Sequence, residues 1–292
     1  MKLVTFDHDG DMQIGVVTGD KILGLTLGVP SLPKSMKAIL ANREKTFPMI
    51  ERALSEDRKL YSLSDVKLVA PLRRPGKILG IGLNYKAHVE EGGRDLPKHQ
   101  IWFNKQHNAI NGPNGDIEMP SVSEALDYEG ELCFVVGRRC RHVPKERAHE
   151  IIGGYMVGND VTVRDWQKRS PTMQMGKSFD THAPTGPWIV TPDEVGDPQN
   201  LNIKTWVNDE LRQDANTSQM LFDIGDQIAH LTQAFTLDPG DIIFTGTPAG
   251  VGFAADPPNF LKVGDVVRVE IENVGTIENR VVAEDPQTII GG

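Results

Sequence analysis

The stretch ALDYEGELCFVVG, residues 125–137, joins a run of acidic side chains to an apolar β-strand. Its second half is apolar and predicts a buried strand. Its first half carries Asp127, Glu129 and Glu131 on alternate positions, and alternate side chains of a strand point to one face. No basic residue lies between these acids in sequence, so the stretch raises the question of what holds three like charges together.

Carboxylates on one face repel one another, and one of them tends to take up a proton unless a positive charge compensates. A divalent cation is the simplest remedy, because hard ions such as Mg²⁺ and Ca²⁺ take oxygen ligands. On these residues alone, however, a strand with one solvated face is the better interpretation of an isolated E-x-E pattern. Gly130, between the two glutamates, weakens the strand and indicates that another group approaches the backbone closely.

Other β-type segments surround this stretch and set the fold class. From residue 77 onward, short apolar runs alternate with Pro/Gly turns: KILGIG, GYMVGND, GPWIVT, NIKTWVN, DIIFTGT, DVVRVEIEN and GTIENRVV. The segment IGDQIAHLTQAFT is the clearest helix among them. Many short strands with turn signals favour a sandwich or barrel-like core, so we expect an α+β fold that is mostly β.

The N-terminal part of the chain differs from the rest. KLVTF, QIGVVTG and KILGL predict a β-hairpin or meander, and residues 34–60 have the apolar spacing of helices. Pro71 and Pro75 mark a boundary. We therefore expect a small N-terminal α/β domain over residues 1–70 and a larger domain over residues 71–292.

Composition indicates a soluble globular protein. The chain has 292 residues, of which 39% are hydrophobic and 24% charged, and its formal net charge is −9. This acidic balance weighs against nucleic acid or an anionic membrane as the main partner, whereas a locally positive site still accommodates a small anion. Two cysteines make no disulfide framework, and there is no signal-like start and no apolar run of about 18 residues. We expect a cytoplasmic location.

The stretch GYMVGNDVTVRDWQ, residues 154–167, carries a second set of chemical groups. In one interpretation, Asp160 caps a short helix and pairs with Arg164 four residues later. In the other, Asp160 is a third carboxylate ligand and Arg164 contacts an anion. The sequence spacing leaves both interpretations open.

Three further segments carry candidate groups. In GIGLNYKAHVEEGG, residues 80–93, His88 and Glu91 share a face if the segment is helical, and such a pair is able to act as a general base. Pairs of this kind are also common on surface helices. Lys177 is either a carboxylate-binding cation or a surface residue. Residues 245–248, TGTP, form a turn whose backbone N–H groups suit an oxyanion, although an ordinary β-turn has the same pattern.

The order of these stretches resembles that of the fumarylacetoacetate hydrolase family. The pattern runs through GxNYxxHxxE, DYExEL, GYxxxNDxTxRDxQ, GKSFDT…GP, VNxELRQxxxTxxMxF and PGDIIxTGTPxGVG, and it covers residues 77–285. The resemblance implies the family's mixed β-sandwich roll with a small N-terminal α/β domain. It also implies a homodimer and a divalent cofactor, which is Mg²⁺ or Mn²⁺ and in some members Ca²⁺.

The resemblance assigns roles residue by residue. Glu129, Glu131 and Asp160 match the family's metal ligands, while His88 and Glu91 match a catalytic dyad on a lid. The other matches are positions that contact substrate oxygens or water at the metal: Arg164, Gln167, Lys177 and Thr247. Lys177 is also expected to take part in catalysis. One segment departs from the pattern, since Gln100 stands where many members have proline, although Phe103 and Lys105 remain.

The resemblance implies chemistry on a small anionic 2-oxo acid. We expect hydrolysis of a C–C bond in an acylpyruvate: His88, polarised by Glu91, deprotonates a water that attacks the distal carbonyl, and positive charge stabilises the enolate that leaves. Decarboxylation of oxaloacetate and keto–enol isomerisation use the same type of site. They are the alternatives, because a fold or motif does not choose among these reactions.

Overall fold

The computed structural model describes residues 1–291, and it is built mainly from β-strands. The strands are β1 (Lys2–His8), β2 (Asp11–Thr18), β3 (Lys21–Gly24), β4 (Leu60–Ser62), β5 (Lys67–Val69), β6 (Ile78–Gly82), β7 (Ile101–Lys105), β8 (Ile110–Asn111), β9 (Ile117–Met119), β10 (Leu126–Asp127), β11 (Gly130–Val136), β12 (Ile152–Asn159), β13 (Thr162–Val163), β14 (Ala183–Val190), β15 (Asn202–Val207), β16 (Glu210–Asn216), β17 (Ile242–Phe244), β18 (Val266–Ile271) and β19 (Gly275–Ala283). The expected α+β, mostly β class and the mixed β-sandwich roll are confirmed.

Helices are short and connect or cover the strands. The α-helices are α1 (Leu25–Gly28), α2 (Met36–Ala41), α3 (Arg43–Leu54), α4 (Lys86–Glu91), α5 (Arg164–Gln167), α6 (Pro192–Val195) and α7 (Ile224–Ala234). The 3₁₀ helices are Leu63–Asp65, His107–Ala109, Lys145–Ile151, Met175–Lys177, Thr217–Gln219 and Gly252–Ala254. Among residues 1–291, no helix has the length and apolarity that crossing a bilayer requires. The cytoplasmic location stays a prediction.

Two sheets pack face to face around the main core. The larger has 12 strands in the order β4-β3-β2-β1-β14-β12-β11-β17-β6-β7, with β5 paired to β1 and β8 to β14. The smaller has five strands in the order β16-β15-β18-β19-β9, and β10 and β13 form a separate pair. Strand β11 lies well inside the larger sheet, between β12 and β17, and all of its residues are buried.

The two faces of β11 enter two different cores. Leu132, Phe134 and Val136 pack with residues of the five-stranded sheet, whereas Cys133 and Val135 pack with the side chains of α2 and α3. Burial of both faces explains why residues 132–136 of this strand are all apolar rather than alternating. Glu131 has the parity of Cys133 and Val135, so the carboxylate shares their face but lies beyond the end of that core.

The N-terminal part forms the predicted meander and extends the larger sheet. β1, β2 and β3 pair antiparallel in succession, and β1 also pairs with β14, aligning Lys2 with Val190. The helical spacing of residues 34–60 corresponds to two helices that meet at Asn42. A separate domain over residues 1–70 stays a prediction, and residue 292, the last of the predicted larger domain, lies outside the described residues.

Candidate metal centre and active site

Glu129, Glu131 and Asp160 meet in one buried cluster, where one carboxylate oxygen of each lies within 4.8 Å of the others. The antiparallel pairing of β11 with β12 aligns Glu131 with Gly158, two residues before Asp160. The Asp160 N–H also donates to the Glu129 carbonyl oxygen at 2.8 Å. Strand register therefore brings the third acid to the first two, across some thirty residues of sequence.

Two buried lysines neutralise part of this cluster. Lys177 Nζ lies 2.6 Å from Glu129 Oε2 and 2.6 Å from Asp160 Oδ2, and Lys105 Nζ lies 2.6 Å from Asp160 Oδ1. Burial lowers the pKa of Lys177, but the charges of Asp160 and Glu129 outweigh burial, so its pKa is raised and the ammonium stays charged. Glu131 has no basic partner among residues 1–291, and instead accepts a hydrogen bond from Gly246 N at 2.6 Å.

Lys105 is a site residue that the sequence interpretation left without a role. It follows Ile101 and Phe103 on alternate positions of β7, and both Phe103 and Lys105 are buried. Burial lowers the pKa of Lys105, and Asp160 offsets this only in part. The signal that identifies Lys105 is its parity with Phe103, because that parity places the ammonium on the inner face of the strand.

Asp127 stands outside the metal cluster and orients Arg164. Arg164 Nε lies 2.8 Å from Asp127 Oδ2, and its Nη1 lies 2.7 Å from Glu129 Oε1. Asp127 also accepts the backbone N–H groups of Gly252 at 2.8 Å and Phe253 at 3.0 Å. Asp127 is not part of the clustered set, since it lies on β10, which pairs with β13.

Arg164 begins helix α5 and does not pair with Asp160, so that interpretation of the spacing is wrong. Gln167 Oε1 accepts from Arg164 Nη1 at 3.2 Å and fixes the guanidinium from the other side. The side chain of Arg164 is buried, and its Nη2 has no hydrogen-bond partner among residues 1–291. A buried donor without an acceptor is costly, so Nη2 is available for a ligand oxygen.

Charge is not balanced within the cluster. Burial and the neighbouring charges of Asp160 and Glu129 raise the pKa of Glu131 well above its usual range. Glu129 behaves oppositely: burial raises its pKa, but Lys177 and Arg164 outweigh burial and lower it. Four buried carboxylates face three buried cations, namely Asp127, Glu129, Glu131 and Asp160 against Lys105, Arg164 and Lys177. Glu131 is the carboxylate of this cluster whose charged form lacks a direct cation partner among residues 1–291.

This donor set fits a divalent cation. The three clustered side chains offer only carboxylate oxygens, which hard ions such as Mg²⁺, Mn²⁺ and Ca²⁺ prefer. The lysines contact carboxylate oxygens of Glu129 and Asp160, and they fix these side chains as hydrogen-bonding neighbours of metal ligands commonly do. A divalent ion would change the local balance from one excess negative charge to one excess positive charge, and the latter suits an anionic substrate.

His88 and Glu91 form a hydrogen-bonded pair on helix α4, as the i,i+3 spacing predicts. His88 Nδ1 lies 2.7 Å from Glu91 Oε1, and Glu91 Oε2 accepts the Gly250 N–H at 2.8 Å. An ionised carboxylate only accepts, so it holds the hydrogen on Nδ1 and leaves Nε2 as the basic nitrogen. His88 is buried and lines the same cavity as Glu129 and Glu131.

Asn84 fixes the chain just before α4. Its Nδ2 donates to the carbonyl oxygens of Thr245 at 2.8 Å and Phe222 at 3.0 Å, and its Oδ1 accepts the Phe222 N–H at 2.8 Å. Thr245 precedes the glycine that binds Glu131. The His88 helix and the carboxylate cluster are therefore tied to the same turn.

The turn over residues 245–248 supports the cluster through Gly246 and Thr247. Gly246 N–H donates to Glu131, so this N–H of the turn is already bonded to a carboxylate of the protein. Thr247 Oγ1 donates to the Gly130 carbonyl oxygen at 3.0 Å and accepts from Gln213 Nε2 at 2.8 Å. Thr247 also lines the cavity, so its predicted position beside the site is observed while its role stays a prediction.

Gly130 has the close neighbour that the sequence indicates. A Cβ at this position would lie 2.2 Å from Thr205 Oγ1 of the facing sheet. The backbone between the two glutamates thus packs closely against β15. This contact fixes the distance of both carboxylates from the five-stranded sheet.

A partly enclosed cavity of about 80 Å³ connects the carboxylate cluster with His88. A water needs about 10–15 Å³ by this measure, so the space suits a small acid rather than a long chain. It is lined by Ile81, Gly82, Leu83, His88, Gly92, Arg94, Ile101, Phe103, Glu129, Glu131, Arg164, Gln167, Lys168, Met173, Lys177, Thr247 and Phe253. Two of the expected site residues do not line the cavity themselves. Asp160 lies behind Lys177, which it contacts, and Glu91 lies behind His88 in the same way.

Comparison with known proteins gives consistent relatives. The chain is 42% identical to the mitochondrial oxaloacetate tautomerase fahd2 of Xenopus laevis over 288 residues, covering 97% of this chain and 90% of that protein. It is 41% identical to the mitochondrial oxaloacetate tautomerase FAHD2A of Homo sapiens, covering 97% and 92%. Among solved structures, maleylpyruvate hydrolase from Sphingobium sp. SYK-6, in complex with manganese (II) ion and pyruvate, superposes with a TM-score of 0.83 at 35% identity, covering 97% and 99%.

The sequence model of the family described as fumarylacetoacetate (FAA) hydrolase C-terminal matches residues 77–282. That range contains the three clustered carboxylates, both buried lysines, Arg164 and the His88–Glu91 pair. The family match, the relatives and the shared fold agree with the resemblance found in the sequence motifs. The chain belongs to the fumarylacetoacetate hydrolase family.

Proposed function

We propose that this chain catalyses the keto–enol tautomerisation of a small 2-oxo acid of the oxaloacetate type. One observation carries the proposal: a single cavity has the carboxylate cluster and its buried lysines on one side, and a histidine whose ring is held by Glu91 on the other. Tautomerisation needs a base on one side of the substrate and positive charge at the developing enolate oxygen on the other. The names of the relatives from Xenopus laevis and Homo sapiens support this substrate class.

Glu129, Glu131 and Asp160 would hold Mg²⁺ or Mn²⁺. The bound ion would polarise the 2-oxo group and stabilise negative charge on its oxygen. The manganese ion with maleylpyruvate hydrolase supports a divalent ion in this family. Binding of the ion is proposed to require ionised Glu131, which the chain itself leaves without a cation.

The chain's own groups bind the substrate and move its proton. Arg164 Nη2, which lacks a partner in the protein, donates to a substrate carboxylate oxygen, and the ammonium of Lys177 adds positive charge beside the 2-oxo oxygen. His88 Nε2 takes the proton from C3, and the imidazolium that forms then gives a proton to the 2-oxo oxygen, so the composition of the substrate does not change and His88 is neutral again. Glu91 holds the ring and stabilises the imidazolium that forms.

The experiment is a tautomerase assay that follows the ultraviolet absorbance of the enol after it is mixed into buffer. With Mg²⁺ or Mn²⁺ present, the wild-type chain is expected to accelerate decay of the enol above the buffer rate. His88→Ala should lose most of that acceleration, whereas His99→Ala, an exposed histidine after α4, should keep it. Enol decay at the buffer rate with wild-type protein and either metal would refute the proposal.

A second candidate is hydrolysis of an acylpyruvate, and one observation favours it. His88 is held by Glu91, and Glu91 is held in turn by Gly250 N, which is the arrangement that a water-activating base requires. The similarity to maleylpyruvate hydrolase supports this reaction. Release of pyruvate from an acylpyruvate separates it from tautomerisation, and pyruvate from oxaloacetate alone would indicate the decarboxylase alternative.

The assembly is proposed from the family resemblance alone. We propose a homodimer with a small anionic 2-oxo acid as its ligand and neither nucleic acid nor membrane as partner. Light scattering on the purified chain measures the mass directly, and a monomeric mass across the assayed concentrations would contradict this assembly.

A further inference from the structure

Two cations at the cavity have no acidic partner among residues 1–291. Arg164 and Lys177, the other cations of the cavity, each pair with buried carboxylates. Arg94 and Lys168 also line the cavity, but both are exposed and neither forms an ion pair within that part of the chain. The deep cations are therefore neutralised by the protein, and the outer two are not.

Neighbouring exposed cations behave differently. Lys86 lies 3.6 Å from Glu90 on the same helix as His88, and Arg169, the residue after Lys168, lies 3.6 Å from Asp165. These two residues do not line the cavity. Among these four exposed cations, the two that line the cavity are the ones without a carboxylate partner.

The positions of Arg94 and Lys168 are set by local structure. Arg94 follows α4, and its backbone N–H donates to the Val89 carbonyl oxygen at 3.2 Å. Lys168 follows α5, and its Nζ lies 5.6 Å from the centre of the Phe253 ring, which also contacts Arg164 at 4.6 Å. Lys168 thus stands beside the Arg164 side of the cavity, and Arg94 stands beside the His88 side.

We infer that Arg94 and Lys168 bind a second carboxylate of the substrate, so that the site selects 2-oxo dicarboxylic acids over 2-oxo monocarboxylic acids. This inference rests on the proposed binding of a 2-oxo acid at the buried end of the cavity. The buried groups act on the 2-oxo carboxylate end, which every such acid shares. The outer pair contacts the far end, where dicarboxylic and monocarboxylic acids differ in charge.

Steady-state kinetics with oxaloacetate test the inference through Arg94→Ala, Lys168→Ala and the double variant. Each exposed ion pair has a modest free energy, so each single change should raise KM about threefold to fivefold and the double change at least about tenfold. We expect kcat to stay within about twofold, because neither side chain contacts the reacting carbon. Lys86→Ala and Arg169→Ala are the matched controls and should leave KM unchanged.

Inhibition by oxalate separates a distal contact from a general change in charge. Oxalate fills only the buried end, so its inhibition constant should be the same in wild type and in the double variant. Added NaCl should raise the KM of wild type more than that of the double variant, because exposed charges are screened. An unchanged KM in the double variant, or oxalate affinity that falls as much as KM rises, would overturn the inference.

A binding measurement keeps the inference testable if oxaloacetate is not turned over, which would contradict the proposed function only. Calorimetry with MgCl₂ present compares 2-oxoglutarate with 2-oxopentanoate, which has the same chain length but ends in a methyl group. Wild type should prefer 2-oxoglutarate, and Arg94→Ala/Lys168→Ala should lose that preference. Equal affinities in wild type, or a preference that survives in the double variant, would refute the role of the two residues.

Discussion

The carboxylate cluster and the His88–Glu91 pair face the same cavity but are held in different ways. The cluster lies at the ends of two paired central strands, and its side chains are almost fully buried and bonded to buried lysines and a backbone N–H. The pair lies on a six-residue helix, and Glu91 is 20% exposed with one anchoring N–H. The sheet therefore fixes the charged groups, while the proton-transfer groups depend on few contacts.

Asp160→Asn should have the largest effect of the four substitutions. It tests whether one side chain of the cluster supports both activity and the stability of the fold. Asp160 accepts from both Lys105 and Lys177, so the change leaves the buried Lys105 without a counter-charge and Lys177 with Glu129 alone. We expect activity to be lost and the free energy of unfolding to fall by about 3–5 kcal/mol. Urea unfolding measures this, with the exposed Asp165→Asn as control, and an unchanged unfolding midpoint would contradict the description of Asp160.

Glu131→Gln should remove activity without that loss of stability. The pKa of Glu131 is raised by burial and by Asp160 and Glu129, so its charged form is unfavourable in the folded chain and a neutral amide relieves that cost. We expect metal-free thermal stability to be equal or higher, and the rise in Tm on adding Mg²⁺ to be smaller than in wild type. Differential scanning calorimetry with and without MgCl₂ tests this, and a large fall in metal-free Tm would count against it.

His88→Ala should separate catalysis from metal binding. Loss of a general base reduces rates by about 10²–10⁴, while the cluster keeps all its own contacts. We therefore expect the Mg²⁺-induced rise in Tm to equal that of wild type. If this rise disappears in the variant, the helix and the cluster are not independent and the comparison between them fails.

Glu91→Gln should have the smallest effect of the four. The amide still offers an oxygen to Gly250 N but no negative charge to His88, so the ring loses its stabilising partner rather than its position. We expect activity to fall by about 10–100-fold, the range found for neighbours of functional groups. A rate as low as that of His88→Ala would mean that Glu91 itself carries the proton.

Much of the architecture is accessible from sequence because it depends on local patterns. The strand at residues 130–136 is apolar at both parities, and helix α7 repeats its apolar residues at helical spacing. His88 and Glu91 are three residues apart on one helix, so their contact needs no tertiary information. The alternation of β7 likewise places Lys105 on the same face as Phe103, which indicates a buried lysine.

The rest of the site depends on which strands are neighbours. Asp127 and Arg164 are 37 residues apart and meet only because β10 pairs with β13. For the same reason the spacing of Asp160 and Arg164 misleads: it permits a helical pair, but the partner of Arg164 comes from another strand. Whether the backbone N–H of Gly246 is free or bonded to Glu131 likewise depends on β17 lying beside β11.

The three hydrogen bonds of Asn84 have a consequence for digestion by proteases. Residues 93–96 are exposed, and they follow the His88 helix on the side away from Asn84. Trypsin would cut there after Arg94, while the turn at Asn84 is buried and bonded. Such a cut separates β7 from α4 in the covalent chain but leaves His88 attached to the sheet through Asn84, so the nicked protein should retain its base beside the carboxylates.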